Sequence, residues 1–179
     1  MSASRGFGIG DETPSLDLPD TEGRRHSLAD AQPPATVVIW TCNHCPYALA
    51  WHDRLVDVAR DYADRGVRFL AVNSNDGERY PADSYEAMRE RVAAEEWPFP
   101  YLHDESQQVA RDWGAERTPH LFLLDSGRRL RYEGAPDPDH GDPSHEAIWL
   151  REALDQVLAG EEVSRPRTDP VGCTVKWKS

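Results

Sequence analysis

Two cysteines separated by two residues, Cys42 and Cys45, are the side chains of this sequence best suited to chemistry. They stand between a short apolar run and a segment with helical periodicity, and Pro46 follows at a position that suits the first residue of a helix. The first turn of a helix offers unpaired N–H groups and a positive dipole end, which stabilise a thiolate. A free thiol has a pKa of about 8.5, whereas CxxC thiols fall to roughly 3.5–7.5. The spacing therefore predicts thiol redox chemistry, with Cys42 and Cys45 as the catalytic pair.

The elements on either side of this pair must hold it in place. Residues 36–41 form a continuous apolar, β-branched run, which is typical of a central strand buried on both faces. Trp40, just before the pair, is predicted to pack against it within the hydrophobic core. The helix predicted from Pro46 carries one apolar stripe and is expected to end at Gly66. That stripe consists of Tyr47, Trp51, Leu55, Val58 and Tyr62.

The rest of the chain alternates strand and helix patterns after a predicted hairpin within residues 15–28. The expected order is hairpin, then β-α-β-α-β-α-β-β-α. Such alternation predicts an α/β fold with a mixed central sheet flanked by helices. Residues 73–76 follow a strand at the edge where α/β sheets place ligands, and we interpret them as a polar turn.

The C-terminal segment has a pattern of its own. A charged, proline-broken linker follows Gly160, and then Val171, Cys173, Val175 and Trp177 alternate with small or polar residues. This period of two predicts a docked C-terminal strand with Cys173 on its apolar face. Residues between Gly160 and Cys173 span up to ~40 Å when extended. Cys173 is therefore either a buried apolar cysteine or a resolving thiol, for the pair or for another subunit.

Charge and composition limit the partners. The 179 residues carry a net charge of −12, which argues against a basic face for nucleic acid or an anionic membrane. No apolar run approaches the ~18 residues of a membrane span, and the first twelve residues lack the apolar core of a signal peptide. We therefore expect a cytoplasmic protein. Three cysteines do not suggest a disulfide framework, and no nucleotide-binding loop is present, so no organic cofactor is predicted.

Several segments together resemble the thioredoxin-like superfamily and, within it, the peroxiredoxin-related redoxin (AhpC/TSA-like) group. They are Cys42-Asn-His-Cys45-Pro46-Tyr47, Asn73-Ser-Asn-Asp76, Pro98-Phe-Pro-Tyr-Leu102-His-Asp104-Glu, Thr118-Pro119 and Gly172-Cys173-Thr-Val-Lys176-Trp177-Lys178. The resemblance implies a thioredoxin-like domain over residues 1–160. Residues 161–179 are then a linker and docked strand of the same domain.

The resemblance also implies roles for residues near the pair. Pro119 corresponds to the superfamily's cis proline, and Thr118 then offers backbone hydrogen bonds to an incoming thiol substrate. His44 lies inside the motif, where it either tunes the thiolate through its charge or is an exposed spacer. His120 follows the proline and is expected near the pair.

The sequence departs from true peroxiredoxins at their peroxide-activating motif. If Cys45 aligns with the peroxidatic cysteine, Cys42 occupies the place of the motif's threonine and Val38 that of its proline. The peroxiredoxin arginine maps near Pro119 and is missing, with Arg117 close by. These departures favour disulfide exchange over peroxide reduction.

The predicted function is that of a thiol-disulfide oxidoreductase. An external thiol donor of the thioredoxin or glutathione type then reduces its disulfide again. In a thioredoxin-like mechanism Cys42 is an exposed attacker and Cys45 resolves the mixed disulfide. In the first alternative, a thiol-dependent peroxidase, peroxide oxidises Cys45 to a sulfenic acid and Cys42 condenses with it. The second alternative is a non-enzymatic module that senses redox state or binds zinc. Its zinc ligands would be Cys42, His44, Cys45 and either Cys173 or His52.

Overall fold

The structure, a computed structural model, describes residues 5–179. Within this range the chain forms nine strands and four α-helices. The strands are β1 Asp17–Pro19, β2 Arg25–Ser27, β3 Ala35–Trp40, β4 Arg68–Asn73, β5 Tyr101–His103, β6 Arg117–Thr118, β7 His120–Asp125, β8 Leu130–Gly134 and β9 Cys173–Thr174. The helices are α1 Pro46–Asp61, α2 Tyr85–Ala94, α3 Gln108–Trp113 and α4 Ile148–Leu158.

Five of the strands form one sheet in the order β5-β4-β3-β7-β8. The central strand β3 runs parallel to β4 and antiparallel to β7. In this register Val38 pairs with Leu70 on one neighbouring strand and with Phe122 on the other. β1 and β2 form the predicted N-terminal hairpin. The predicted α/β fold with a mixed central sheet is confirmed.

Strand β3 supplies both halves of the core because its side chains alternate between the two faces of the sheet. Val37 and Ile39 pack with α1 and α4, whereas Val38 and Trp40 pack with α3 and the hairpin. All six residues of β3 are buried. The loop after β3 therefore begins at the buried centre of the molecule.

Helix α1 ends earlier than the sequence suggests. It begins at Pro46 as predicted, but its last residue is Asp61 rather than the residue before Gly66. Tyr62 leaves helical geometry, with φ −102° and ψ 1°, because its buried ring is tied to α4 through a hydrogen bond of 2.6 Å to Asp155. Gly66, at φ 78°, closes a separate short 3₁₀ turn.

The C-terminal strand is shorter than its alternating pattern predicts. It covers two residues, and although Val175 is 3% exposed, Val171 and Trp177 are 43% and 37% exposed. The reason lies in its partner strand β6, which stops at Pro119, a residue with no N–H to extend the ladder.

Among residues 5–179, none of the helices combines the length and apolar character needed to cross a membrane. The division into a domain of residues 1–160 and an extension of residues 161–179 stays a prediction, and its first four residues lie outside the described range. The extension lies against β8, where Glu133 N–H donates to Pro166 and Thr168 N–H donates to Glu133, at 3.0 Å each.

Candidate active site

The two cysteines of the pair lie at the end of the central strand and the start of α1. Cys42 is in the loop after β3, and Cys45 is the residue that precedes the first turn of the helix. Pro46 takes the first helical position, where its missing N–H costs no hydrogen bond. Cys42 and Cys45 pack with Ala48 in a small apolar cluster that is separate from the two main core clusters.

A second loop lies against this pair. The Thr118–Pro119 peptide bond is cis. The hydroxyl of Thr118 lies 3.5 Å from the Cys42 sulfur, and the carbonyl oxygen of Thr118 lies 3.3 Å from the Cys45 sulfur. Residues 73 or more positions apart in the chain thus meet around the two thiols.

The third cysteine joins the same site. Cys173 pairs with Thr118 across the two-residue β6–β9 ladder, and its side chain packs on the cluster of Cys42, Cys45 and Ala48. The three cysteines thus converge in one apolar cluster, and the thiols of Cys42 and Cys173 both lower the pKa of Cys45.

The contacts with Cys42, Cys173 and Ala48 favour the thiolate of Cys45, whereas the carbonyl of Thr118, 3.3 Å away, accepts a hydrogen bond from the protonated thiol. The Cys42 thiol donates to the thiolate and, against the effect of burial, lowers the pKa of Cys45 to about 4; contacts from Cys173 and from the N–H of Ala48 act in the same direction. The same pairing, burial and the carboxylate of Asp83 raise the pKa of Cys42 above that of an ordinary thiol. Burial and the contact with Cys45 raise the pKa of Cys173 to about 11.

The expected exposure of Cys42 is wrong. Cys42 is 1% exposed and Cys45 is 0% exposed, because the docked tail and the Thr118 loop cover both. Burial covers both thiols alike, so it does not distinguish them. The thiolate preference favours Cys45 as the first attacking group, since Cys45 also receives the N–H of the helix start.

His44 is not a free spacer, and its ring is hydrogen-bonded to Asp83 rather than to Cys45. Its Nδ1 is paired with the Asp83 carboxylate, and its ring stacks on Tyr80 at 5.7 Å with an interplanar angle of 3°. Cys42, His44 and Asp83 have their polar atoms within 4.8 Å of one another. The imidazole is thus fixed beside the Cys42 thiol.

Asp83 is the residue of this site that the sequence did not reveal. It is 0% exposed, and its carboxylate accepts hydrogen bonds from the backbone N–H of Asn43 at 2.6 Å and from the side chains of Asn73 and Asn75 at 3.2 and 3.0 Å. Residues 73–76, interpreted as a simple polar turn, are buried and belong to this network. The only sequence signal for Asp83 is a polar segment before a helix, and nothing there relates it to a loop some 40 positions away.

Two other predicted neighbours lie farther from the thiols. Trp40 is fully buried in the core cluster with Trp113 and Phe122, and its indole donates to Ser74 at 3.0 Å. His120 is buried on the other face of the Thr118 loop, 3.6 Å from the carboxylate of Glu133. Neither has a hydrogen bond to a cysteine among the described residues.

The set of ligands proposed for zinc is not brought together. His52 packs against Trp97 and lies 3.7 Å from Glu95, away from the cysteines. Within residues 5–179 the group with metal-ligand spacing is Cys42, His44 and Asp83. Both carboxylate oxygens of Asp83 already accept from protein donors, so a metal would have to displace hydrogen bonds that hold the loop.

Alkylation of the reduced protein tests the charge at Cys45. Because its pKa is lowered to about 4, its rate with iodoacetamide is expected to be level from about pH 6 upward and to fall as pH drops through about 4. An ordinary thiol loses its thiolate below about pH 8.5. Peptide mass spectrometry at each pH gives the rates, with Cys173 as internal control, since its raised pKa predicts a rise up to the highest pH used. A Cys45 rate that climbs between about pH 7 and about pH 9 would contradict the assignment.

The model of the AhpC/TSA family matches residues 9–133. The chain is 28% identical over 126 residues to the thiol-disulfide oxidoreductase ResA of Geobacillus thermodenitrificans, covering 69% of this chain and 67% of that protein.

Two solved structures show the same fold. The chain is 35% identical to the hypothetical protein SMc02350 of Sinorhizobium meliloti 1021, with a TM-score of 0.91 and all of both chains covered. A putative thioredoxin of Neisseria meningitidis is 24% identical, with a TM-score of 0.66, covering 83% of this chain and 92% of that one. The fold is thioredoxin-like.

Proposed function

Because the chain belongs to the AhpC/TSA family and is an oxidoreductase, we propose that it catalyses thiol-disulfide exchange through Cys42 and Cys45. One observation carries the proposal: Cys42 and Cys45 pack together at the start of α1, with their sulfurs 3.5 and 3.3 Å from the hydroxyl and the carbonyl oxygen of Thr118 in the cis-proline loop. In that arrangement the pKa of Cys45 is lowered and that of Cys42 is raised, which gives one thiolate and one protonated partner. A two-electron exchange needs both.

The reaction begins with the Cys45 thiolate. It attacks one sulfur of a substrate disulfide, forms a mixed disulfide and releases the other substrate sulfur as a thiolate. Cys42 then loses its proton and attacks the Cys45 sulfur, which closes the Cys42–Cys45 disulfide and releases the second substrate thiolate. The substrate gains two electrons, and the protein loses them. An external thiol donor reopens the disulfide.

The second step needs a base, because the pKa of Cys42 is raised. His44 lies beside Cys42, and its other partner, the Asp83 carboxylate, holds the ring in one orientation. We assign His44 as the group that takes the Cys42 proton and Asp83 as the residue that positions it. Burial of Asp83 and its three further hydrogen bonds keep this pair rigid.

Asp83→Asn is expected to slow closure of the disulfide by about tenfold to a hundredfold, because a neutral amide neither orients nor stabilises a protonated His44. Rapid mixing with a small disulfide, acid quenching and mass analysis separate formation of the mixed disulfide from its closure. The first step should keep a rate within about threefold of the wild type, since Asp83 does not contact Cys45. Equal slowing of both steps would assign Asp83 a structural role alone.

The function itself is tested with the reduced wild-type protein. We expect it to reduce the interchain disulfides of insulin in the presence of dithiothreitol, at rates well above those of dithiothreitol alone. The oxidised product should carry a Cys42–Cys45 disulfide by peptide mass mapping. Absence of turnover would contradict disulfide exchange as the function.

Thiol-dependent peroxide reduction is the second candidate, and one observation favours it. Cys45 is fully buried, so a molecule as small as hydrogen peroxide reaches it more easily than a folded protein substrate does. Peroxide would oxidise Cys45 to a sulfenic acid, and Cys42 would condense with it and release water. Oxidation of Cys45 much faster than that of a free-thiol control would identify this activity. The electron donor in either case is an external thiol system, and the cytoplasmic location stays a prediction from the sequence.

A further inference from the structure

The C-terminal tail, residues 170–178, occupies the backbone edge beside the redox pair. Gly172 lies so close to the Thr118 loop that a Cβ at this position would be 2.0 Å from the carbonyl oxygen of Thr118. On one side of this contact the tail pairs with β6, and Val175 N–H donates to Glu116 at 3.1 Å. The edge of Thr118 that faces the two cysteines is therefore filled by the chain's own tail.

Several further hydrogen bonds fasten the tail. Lys176 N–H donates to the side chain of Asn75 at 2.8 Å, and the carbonyl of Lys176 accepts from Asp76 N–H and from the Gln107 amide at 2.8 and 2.9 Å. Lys178 N–H donates to Gln107 at 2.9 Å. The residues that receive the tail, Asn75 and Asp76, belong to the same buried segment as the network around Asp83. The tail is thus an integral part of the site.

This docking brings one thiol to the surface and leaves two beneath it. Cys42 and Cys45 are buried, whereas Cys173 is partly exposed and packs against their cluster. Among the described cysteines, Cys173 alone is both partly exposed and adjacent to the pair. A cysteine that only fills an apolar gap requires neither partial exposure nor a position beside the redox pair.

We propose that Cys173 is a third redox thiol, and that the disulfide presented to the external reductant is Cys45–Cys173 rather than Cys42–Cys45. The proposal rests on the proposed function of the pair. It extends that function by identifying where electrons enter the protein.

The first step is an internal exchange that leaves the redox level unchanged. The Cys173 sulfur attacks the Cys45 sulfur of the Cys42–Cys45 disulfide, so that the Cys45–Cys173 bond forms and the Cys42–Cys45 bond breaks. The proton of the Cys173 thiol passes to Cys42, which returns to its protonated form. Three cysteines hold one disulfide before and after the step.

The second step brings in an external dithiol. Its thiolate attacks the accessible Cys173 sulfur and expels Cys45 as a thiolate, and its second thiol then releases Cys173 by forming the donor's own disulfide. Two electrons and two protons leave the donor, and the protein returns to three reduced cysteines. Attack at the Cys173 sulfur is favoured because it expels Cys45. A thiol that is stable as a thiolate is the better leaving group, and Cys45 is that thiol.

The test uses Cys42→Ser in the full-length chain. Treatment of the reduced variant with one equivalent of diamide is expected to give a monomer lighter by two hydrogens, with residues 45 and 173 linked in the peptide map. Dimers linked through Cys45, or two thiols still free in the monomer, would overturn the proposal. Thermal unfolding of the reduced variant checks that the fold is kept.

A second variant, Cys173→Ser, keeps the test decisive should Cys42→Ser fail to fold. Its Cys42–Cys45 disulfide should form normally, but dithiothreitol should reopen it about tenfold more slowly than in the wild type, because both remaining sulfurs are buried. Equal rates of reopening would overturn the role of Cys173 and leave the proposed function standing. Failure of both proteins to form the Cys42–Cys45 disulfide would instead overturn the proposed function.

Discussion

Cys45→Ser is expected to lower the turnover of insulin disulfides by more than about a thousandfold, to the rate of dithiothreitol alone. The reason is that Cys45 is the thiol with the lowered pKa and also the sulfur that both other cysteines contact. A serine hydroxyl at this position cannot form a mixed disulfide. With Cys45 gone, burial and the carboxylate of Asp83 still act to raise the pKa of Cys42, and its position stays covered, so it does not replace the lost nucleophile.

The matched control is the double variant Cys42→Ser/Cys173→Ser, which keeps Cys45 and removes both thiols able to resolve its adducts. It should also lose turnover, but it should accumulate a stable mixed disulfide at Cys45 after one reaction. Intact mass distinguishes the two proteins, because the single variant gains no adduct. A mixed disulfide that accumulates at Cys42 in Cys45→Ser would show that Cys42 attacks first, as in the thioredoxin-like mechanism considered from the sequence.

Gly172→Ala is expected to raise the rate at which iodoacetamide modifies Cys45 by on the order of tenfold to a hundredfold. The added methyl would lie 2.0 Å from the carbonyl oxygen of Thr118, which is backbone and cannot move aside cheaply. We expect the tail to leave the Thr118 edge instead. A loss of about two net hydrogen bonds, at about 1 kcal/mol each, shifts the docked population by about thirtyfold, which lies within that range.

Gly8→Ala is the matched control, since a Cβ there meets nothing within 4 Å. It should leave the modification of Cys45 within about twofold of the wild type. If the docked tail limits access, insulin reduction by Gly172→Ala should also rise. An unchanged modification rate in Gly172→Ala would show that the tail does not control access to Cys45.

Much of the fold was predictable because it depends on local patterns. The run before the cysteines is apolar and β-branched throughout, and only a strand buried on both faces accommodates it; β3 is that strand. Pro46 and the apolar stripe after it predicted the start of α1 correctly. The end of α1 was not predictable, because it depends on the hydrogen bond from Tyr62 to a helix about 90 positions later.

The sequence by itself predicted the chemistry proposed for this protein, since two thiols at CxxC spacing at the start of a helix suit redox exchange. It also determined the order of strands and helices, which follows from short-range periodicity. Only the tertiary structure shows which thiol its surroundings favour as the thiolate and which residues lie beside it. Asp83 acts on His44, and Cys173 on Cys45, across separations of 39 and 128 positions, and such contacts exist only once the chain has folded. A pKa depends on the charges and donors within a few ångströms, and those neighbours come from packing rather than from adjacency in the chain.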